Sequence, residues 1–317
     1  MRRFHRPAAA LAATLAVALV LSACGSASPG TAPATSVGTR SGSSFPLTVE
    51  AANGEVRLQH KPERIVSLSP TATEMLFAIQ AGEQVVAVDD DSNYPPRAPM
   101  TKLSGYEPNV EAIAKFHPDL VVISNNPGGL TKSLRALSIP TLLEPAATAL
   151  DDTYAQIEQL GVATGHATEA QALVASMKRK IKDLIASAPK FKRAPTFYHE
   201  LDQTYYTVTS STFIGQIYKS LGLVNVADGA RGAGSGYPQL SAEFIIKADP
   251  DLIFLADTKC CGQSSATVAK RPGWDQITAV RTGAVIPLDD DIASRWGPRV
   301  VDFLHVILNA LERLHSR

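Results

Sequence analysis

Several features that identify common classes of protein are missing from this sequence. Its 30 Lys and Arg residues are matched by 30 Asp and Glu residues, so the chain has no basic excess for binding nucleic acid. Its seven histidines form no close pair, although a zinc or manganese receptor would need about three His and a carboxylate to converge. We therefore expect neither nucleic acid nor a directly bound metal ion as a partner.

Sequence motifs of enzymes are missing as well. The chain has no G-x-S-x-G, no Walker A sequence and no dinucleotide-binding fingerprint. The glycines of "GARGAGSG", residues 229–236, lack the strand and helix spacing that cradles a phosphate and predict a mobile loop. The adjacent carboxylates at 289–291 are typical of a solvated turn rather than a catalytic pair. We expect no enzymatic activity, with an extracytoplasmic hydrolase as the distant alternative.

Long hydrophobic runs are also scarce, apart from one near the N-terminus. Three arginines within the first six residues precede an apolar stretch that ends in "LSAC", residues 21–24. This pattern predicts a lipoprotein signal peptide over residues 1–23, after which Cys24 carries the lipid. The stretch is somewhat short for a transmembrane anchor, which needs about 18 to 20 apolar residues. We therefore expect the protein outside the cytoplasm, anchored to the cell membrane by acyl chains.

Length and composition divide the rest of the chain into four segments. At 317 residues the chain can hold two hydrophobic cores. Residues 24–45 are almost all Gly, Ser, Ala, Thr and Pro, which predicts a flexible tether. Residues 167–187 place apolar side chains on one stripe at helical spacing, which predicts a helix of about 30 Å. We expect an N-terminal lobe at 46–166, a connecting helix at 167–190 and a C-terminal lobe at 191–317.

Short apolar runs within both lobes predict an α/β fold with mainly parallel sheets, because strands this apolar are expected to be covered on both faces. Asn53-Gly54 predicts a hairpin turn. Ser69 is the expected N-cap of a helix that begins at Pro70 and continues to about Ala81, with Thr71 and Glu74 in a capping arrangement. The other expected strands are "RIVSL", "VVAVDD", "LVVIS", "TLLEP", "TFYHEL", "LIFLA" and "AVIPL", and the other expected helices lie at 111–117, 130–139, 213–222, 241–248 and 298–315.

One peptide occurs twice. "EAIAKFHPDLVVISN", residues 111–125, and "EFIIKADPDLIFLAD", residues 243–257, predict equivalent helix and strand units in the two lobes. Glu111 and Glu243 each begin a helix, where a carboxylate is favoured by the helix dipole. This local role is one interpretation. The other is that two identical charges on one rim engage two like subunits of a symmetric partner.

These features together resemble a known family, the substrate-binding proteins of type II ABC importers that carry cobalamin, ferric siderophores and haem. The resemblance spans about residues 46–315 and includes the lipobox, "RIVSLSP", "NYPP" and both "PDL" motifs. It implies two Rossmann-like lobes joined by one rigid helix, the class III periplasmic binding protein arrangement. It also implies a monomer with no cofactor, a metal-chelate ligand in the cleft, and docking of Glu111 and Glu243 on arginines of a permease dimer that works with its ATPase.

Within that family, the segment "DIASRWGPR", residues 291–299, is most similar to the cobalamin binder. The resemblance implies that Asp291 and Arg295 contact a corrinoid, and the alternative is a local ion pair at i,i+4. This chain departs from the pattern because it has Tyr106 and Tyr237 where the cobalamin binder has tryptophans, and two asparagines at 125–126. A ferric siderophore or haem therefore stays open as the ligand.

Aromatic side chains on the predicted loops are candidates for lining the cleft, because a flat macrocycle is held by ring faces. Most of them lie near strand ends, where open α/β sheets bind ligands. Each one alone could instead be a packing residue. The candidate ligand-binding set, with Pro70 and the charged pair above, consists of Tyr94, Tyr106, Tyr205, Tyr206, Tyr237 and Trp296.

Two further positions carry alternatives. Cys260 and Cys261 are the only thiols other than that of Cys24, and in an oxidising compartment they predict a vicinal disulfide. Free thiols or a contact with a soft metal are the alternatives. His199, at the end of a predicted strand, is either a haem ligand near the cleft or a packed, hydrogen-bonded histidine.

Overall fold

Two parallel sheets and the helices that cover them make up residues 44–317, the part of the chain that this computed structural model describes. The predicted signal peptide at 1–23, the lipid attachment site Cys24 and nearly all of the tether lie outside the described residues. None of the described helices is both long and apolar enough to cross a membrane. The boundaries of the two lobes stay predictions.

The N-terminal sheet has five parallel strands, in the order β5-β4-β3-β6-β7. A separate antiparallel hairpin precedes it, and its turn lies where the Asn53-Gly54 signal predicts it. The hairpin strands are β1 (Leu47–Ala51) and β2 (Gly54–Leu58), and the sheet strands are β3 (Ile65–Leu68), β4 (Val85–Asp89), β5 (Met100–Leu103), β6 (Leu120–Ile123) and β7 (Thr141–Leu143). Strands β3 and β6 are buried along their whole length, as expected for a parallel sheet covered on both faces.

Five helices accompany this sheet. The Ser69 hydroxyl accepts a hydrogen bond from the Ala72 amide and Pro70 is the first helical residue, so the predicted start of the first helix is confirmed. The helix ends earlier than expected, at Ala78. The helices are α1 (Pro70–Ala78), α2 (Val110–Ala114), α3 (Leu130–Ala136), α4 (Leu150–Thr164) and α5 (Ala167–Ser187).

The C-terminal sheet has four parallel strands, in the order β11-β10-β8-β9. Its strands are β8 (Thr196–Glu200), β9 (Val224–Asn225), β10 (Leu252–Leu255) and β11 (Val285–Pro287). The expected strands "TFYHEL", "LIFLA" and "AVIPL" are therefore present. Its helices are α6 (Phe213–Ser220), α7 (Ala242–Ala248), α8 (Thr258–Cys261), α9 (Ser265–Val268), α10 (Thr278–Arg281), α11 (Asp290–Ser294) and α12 (Val300–His315).

The twin peptides form the same unit in both lobes. Each glutamate lies in the first turn of a short helix, α2 or α7, whose N-cap side chain accepts a hydrogen bond from the helix. The Asp of each "PDL" motif then holds the start of the neighbouring strand. Asp119 accepts from the Arg64 amide at 2.9 Å, and Asp251 accepts from the Thr196 amide at 2.8 Å. Docking each "PDL" strand beside the first strand of its own lobe explains why the same piece occurs twice.

Helix α5 connects the two sheet regions in the chain and packs along α4 and against α12. Its hydrophobic stripe is buried, with Val174, Met177 and Ile181 among the buried residues. The close approach of α4 depends on Gly161, since a Cβ atom there would lie 2.4 Å from the Cβ of Ala170. Any larger residue at this position would push the two helices apart.

Some elements were not expected from the sequence. Strand β5 has exposed polar positions and lies at the edge of its sheet, so it lacks the apolar run that marks the central strands. Strand β9 has only two residues. Residues 150–164, for which no element was predicted, form α4. The segment 229–236 contains a short 3-10 turn, Ala233–Ser235.

A buried carboxyl group lies directly after β7. Glu144 is only 4% exposed, and its Oε1 atom has no hydrogen-bond partner among the described residues. Burial raises the pKa of Glu144 from 4.5 to about 8, because no cation compensates for the loss of water around the charged form. The folded protein therefore keeps this group protonated at neutral pH.

We predict that Glu144→Gln increases the free energy of unfolding at pH 7 by about 3 kcal/mol, since each pKa unit is worth about 1.36 kcal/mol. In the wild type, the unfolded chain releases this proton above pH 4.5, whereas the folded chain retains it up to about pH 8. Stability is lost as pH rises through that window. Urea unfolding at pH 5, 6, 7 and 8 would therefore show a growing difference between the two proteins.

The exposed Glu158 gives the matched control, because it lies on the solvent side of the adjacent helix α4. Glu158→Gln is expected to change stability by less than about 0.5 kcal/mol at every pH. A difference between Glu144→Gln and wild type that stays constant with pH would contradict the raised pKa. Burial also raises the pKa of Asp89 to about 6 and that of Asp257 to about 7, so the stability of the wild type alone depends on several groups. The test therefore rests on the difference in stability between Glu144→Gln and the wild type at each pH.

Candidate functional site

A cavity of about 300 Å³ lies where the carboxyl ends of the N-terminal strands face the segment that follows β11. Strands β3, β4, β5 and β6 each contribute a residue that follows their last position, in agreement with the general location of ligand sites in open α/β sheets. We call this space the cleft cavity. Its lining consists of Ser69, Pro70, Thr71, Asp91, Tyr106, Ser124, Asp291, Ser294, Arg295 and Trp296.

The cleft cavity brings together five of the nine candidate ligand-binding residues, namely Pro70, Tyr106, Asp291, Arg295 and Trp296. The other four tyrosines lie elsewhere. Tyr94 lines a different cavity, between α1, α5 and α12. Tyr205 stacks on Trp274 with 5.7 Å between ring centroids and is a packing residue of the C-terminal lobe. Tyr206 and Tyr237 are 42% and 49% exposed and do not line the cleft cavity.

Tyr106 is the most exposed of the aromatic side chains, at 73%. Its loop is held by the Ser104 hydroxyl, which accepts hydrogen bonds from the Tyr106 and Glu107 amides. Gly105 lets this loop approach the end of β3, because a Cβ atom there would lie 2.8 Å from the Leu68 carbonyl oxygen. The backbone that carries the Tyr106 ring is therefore held by the hydrogen bonds to Ser104 and by the close contact of Gly105 with the end of β3.

Trp296, which also lines the cleft cavity, is held in place by the N-terminal lobe. Its indole Nε1 donates to Oε1 of Gln156 at 2.9 Å, and its carbonyl accepts from the Thr153 hydroxyl at 2.9 Å. Both partners lie on α4. The indole plane is thus oriented before any ligand arrives, which lowers the entropic cost of binding.

Asp291 and Arg295 form the predicted i,i+4 ion pair, at 2.9 Å, but the pair belongs to a larger network. Asn93 donates to Asp291 at 3.1 Å, and Arg295 donates to the Asp91 carbonyl at 2.9 Å. Burial alone would raise the pKa of Asp291, but the hydrogen bond from Lys259 and the charge of Arg295 lower it below its usual value. Asp291 is therefore a carboxylate with fixed orientation at the cavity wall.

Glu74 is the centre of this network. Its carboxylate is buried and accepts hydrogen bonds from Arg295, at 2.9 Å, and from Arg299, at 2.8 Å. Glu74 lies on α1 of the N-terminal lobe, whereas both arginines follow β11. We call these three side chains the lobe latch. The expected capping arrangement of Thr71 and Glu74 is wrong, because the carboxylate turns to the arginines instead.

The sequence contains a signal for the lobe latch in the composition of α1. Glu74 is the one charged residue of α1, a helix that is mostly buried and contains "TATEMLFA". A buried carboxylate needs a cationic partner, and this requirement could have identified Glu74 as part of an ion pair. Which arginines it binds could not be read from the sequence, since Arg295 lies 221 residues away.

The carboxylates at 289–291 do not form a solvated turn, so that expectation is wrong. Asp289 caps α11, and Asp290 accepts hydrogen bonds from the amides of Thr258, Lys259 and Cys260. The ammonium group of Lys259 in turn lies 2.8 Å from both Asp289 and Asp291. The loop after β10 is thereby fastened to the segment that carries Asp291 and Arg295.

Cys260 and Cys261 are exposed free thiols, not the predicted vicinal disulfide. Both residues lie in α8, where neighbouring side chains point about 100° apart, so a bond between them would require the helix to unwind. Partial loss of water around the thiol and a hydrogen bond with Cys261 raise the pKa of Cys260 to about 12. This thiol is therefore a weak nucleophile at neutral pH.

His199 is a packed, hydrogen-bonded histidine and does not reach the cleft cavity. It is fully buried in the C-terminal lobe, where its Nδ1 lies 2.9 Å from the Tyr218 hydroxyl. Burial lowers its pKa to about 3, so the ring stays neutral. Between residues 44 and 317, no three His, Cys, Asp or Glu side chains form a metal site.

The two candidate docking glutamates are both exposed, and both lie in first helical turns. Hydrogen bonds from its own backbone amide and from the Ser241 hydroxyl lower the pKa of Glu243. Neither Glu111 nor Glu243 forms an ion pair with another described residue. Both carboxylates are thus available to a partner.

A family model described as "Periplasmic binding protein" matches residues 65–292. Among curated proteins, an uncharacterised ABC transporter substrate-binding lipoprotein of Bacillus subtilis is 31% identical, over 81% of this chain and 83% of its own length. A cobalamin-binding protein of Halobacterium salinarum is 32% identical, over 84% of this chain and 74% of its own length.

Two solved structures are each 25% identical to this chain and cover 80% of it and 98% of their own chains. One is the periplasmic vitamin B12 binding protein of Vibrio cholerae, with a TM-score of 0.67. The other is a periplasmic haem-binding protein from Roseiflexus, with a TM-score of 0.69. The resemblance to this group and the two-lobe α/β fold are confirmed, whereas the two neighbours differ in their ligands.

We predict that Glu74→Gln lowers the free energy of unfolding by about 3 kcal/mol, because it leaves two arginines that are largely buried without their shared counter-charge. Glu83→Gln is the matched control, since Glu83 is exposed and lies in the turn that follows the same helix. Urea unfolding at neutral pH measures both. Equal stabilities for the two variants would show that the lobe latch does not hold the lobes together.

Proposed function

Because this chain belongs to the periplasmic binding protein family, in the branch of ABC importer receptors for vitamin B12, haem and siderophores, we propose that it captures a corrinoid in the cleft cavity. It then delivers the ligand to its permease. Members of this family are solute carriers outside the cytoplasm and are not enzymes. The expectation of no catalytic activity is confirmed by family membership.

The observation that carries the corrinoid proposal is the charge of the cleft cavity. Asp91 and Asp291 line it, and its cation Arg295 is already bound to Glu74 and Asp291. A paired Asp and Arg offers one acceptor and the remaining N–H donors side by side, which suits the amide groups around a corrin ring. The carboxylates of haem would meet Asp91 and Asp291 instead. The two cations at Asp291, Lys259 and Arg295, are each already shared with a second carboxylate, so haem would bind at a cost in electrostatic repulsion.

Shape supports the same proposal. The Tyr106 and Trp296 rings both line the cavity and provide the aromatic faces that a flat macrocycle requires. At about 300 Å³, the cavity lies at the lower end of the range for small-molecule sites, roughly 300 to 1,000 Å³. A corrinoid would therefore enter edge first and remain partly outside the protein, where a permease can reach it.

The alternative ligand is haem or a ferric siderophore. It is favoured by the haem-binding neighbour, which matches this chain as well as the vitamin B12 binder does. The tyrosines at 106 and 237 favour it as well, because they replace tryptophans of the cobalamin pattern. The anionic cavity is the reason to prefer the corrinoid.

Membrane attachment and partner are parts of the same proposal. The lipid on Cys24 would anchor the protein to the cell membrane, in line with the lipoprotein from Bacillus subtilis. Glu111 and Glu243 would contact the two subunits of the permease, which works with its ATPase, and the receptor would act as a monomer. The exposed position of both glutamates in equivalent helices supports this arrangement.

We predict that tryptophan fluorescence of residues 44–317 is quenched saturably by cyanocobalamin, and more weakly by haem or a ferric hydroxamate, after correction for inner-filter absorption. The chain has two tryptophans. Trp296 lines the cleft cavity and Trp274 is fully buried elsewhere, so Trp296→Phe should remove most of the quenching.

Asp291→Asn is expected to lower the affinity for cyanocobalamin at least about tenfold, since a charged hydrogen bond contributes roughly 1.5 kcal/mol or more to binding. Asp275→Asn, at an exposed position outside the cavity, serves as the control. Tight binding of haem or the hydroxamate with no response to cyanocobalamin would support the role as a receptor but contradict the corrinoid as its ligand.

We predict that Glu111→Ala combined with Glu243→Ala abolishes ligand uptake by cells but leaves ligand affinity unchanged. Glu158→Ala combined with Glu312→Ala is the matched control, because both residues are exposed and each lies on a helix of a different lobe. Uptake of labelled ligand and equilibrium binding would be measured in parallel. A loss of affinity as large as the loss of uptake would refute the docking role.

A further inference from the structure

A second cavity, of about 420 Å³, lies on the other side of the lobe latch and shares no lining residue with the cleft cavity. We call it the rear cavity. Helix α1, the loop after β4, helix α5 and the start of α12 form its walls, so it touches both lobes and the helix between them. Nothing in the proposed function uses it. Its lining includes Tyr94, which the sequence analysis had placed in the ligand cleft.

The floor of the rear cavity is apolar. Phe77, Met177 and Val301, which are buried, come from three different helices, and Leu173 and Pro298 add partly buried apolar surface. A floor of this kind favours the apolar part of a ligand by roughly 25 cal/mol for each Å² removed from water. Its volume lies within the range of about 300 to 1,000 Å³ that is usual for small-molecule sites.

The lining carries three cations, Arg97, Lys180 and Arg299. Across the described residues 44–317, neither Arg97 nor Lys180 has a carboxylate within the 4.0 Å of a salt bridge. Arg97 lies over the Phe77 ring, 5.3 Å from its centroid. Two positive charges beside an apolar floor are therefore uncompensated.

The acidic groups of the rear cavity do not cancel these cations. Glu74 is shared by Arg295 and Arg299, so its charge is already used in the lobe latch. Asp302 is the other acidic residue in the lining, and it is exposed in the first turn of α12. Arg299 lies over the Tyr94 ring, 4.2 Å from its centroid, which holds the guanidinium at the cavity wall.

We propose that the rear cavity is a second ligand site, which binds a small amphipathic organic anion. The apolar body of the ligand packs on Phe77, Met177 and Val301, and its carboxylate, sulfonate or phosphate group lies between Lys180 and Arg97. Such a ligand contacts both lobes and α5 at once. Its chemistry is opposite to that of the cleft cavity, where two aspartates disfavour anions, so the two sites select different molecules.

The probe for this proposal is 8-anilinonaphthalene-1-sulfonate, an aromatic anion whose fluorescence rises in apolar surroundings. N-phenyl-1-naphthylamine has the same rings without the sulfonate and tests the role of the charge. We expect saturable binding of one sulfonate dye to residues 44–317. Lys180→Glu should lower the affinity for the sulfonate dye at least about tenfold, because it replaces a charged hydrogen bond by repulsion. The same change should leave the affinity for the uncharged dye unchanged.

Lys182→Glu is the matched control, since this lysine lies on the same helix, is exposed and does not line the rear cavity. It should not change the affinity, and neither should Asp291→Asn in the cleft cavity. Arg97→Glu repeats the test on a different element in case Lys180→Glu disturbs folding, which thermal unfolding would reveal.

Three results would overturn the proposal. The first is no saturable binding of the sulfonate dye, or equal affinity in wild type and in the Lys180→Glu and Arg97→Glu variants. The second is a loss of dye affinity in Lys182→Glu as large as that in Lys180→Glu, which would mean that the dye is attracted to the basic helix in general. The third is a gain in affinity with Asp291→Asn, which would place the dye in the cleft cavity, because this change removes a negative charge there. None of these results bears on the docking glutamates or on corrinoid binding.

Discussion

The arrangement of the two lobes depends on one buried carboxylate. Glu74, on α1 of the N-terminal lobe, binds both Arg295 at the end of α11 and Arg299 at the start of α12. Each of these arginines borders a different cavity. Like charges placed this close repel each other, so the arginines can share the site only while the carboxylate lies between them. The position of Asp291 follows, because it is bound to Arg295, and so does that of the Tyr94 ring beneath Arg299.

The repeated peptide makes the same local contacts in both lobes. In both lobes the Asp of the "PDL" motif binds the backbone at the start of the first strand of the parallel sheet. The residue just before each motif has a left-handed conformation, with φ of 48° at His117 and 44° at Asp249. The two helices that carry the exposed glutamates are therefore positioned by the same local interactions. The cleft cavity is lined by residues outside the repeated unit, from the loops after the N-terminal strands and from helices α1 and α11.

Much of the fold could be predicted from the sequence, because the central strands are short apolar runs bounded by turn signals. The edge strand β5 could not, since its exposed polar side chains look like a loop. Five of the nine candidate ligand-binding residues line the cleft cavity. Tyr106 could be expected there from topology, since it follows β5, and Trp296 from the resemblance, since it follows α11 rather than a strand. Tyr205 was misplaced because its stacking on Trp274 depends on a contact between residues far apart in sequence.

The lobe latch is made of protein groups alone, and this has a consequence for transport at the level of the cell. If the spacing of Glu111 and Glu243 is fixed by Glu74 rather than by cargo, a permease that docks on them as proposed would meet the same two charges on an empty receptor as on a loaded one. Empty receptors then occupy permeases in proportion to their abundance. Import would be fastest when receptor copies are matched to the supply of cargo, and an excess of receptor would slow it.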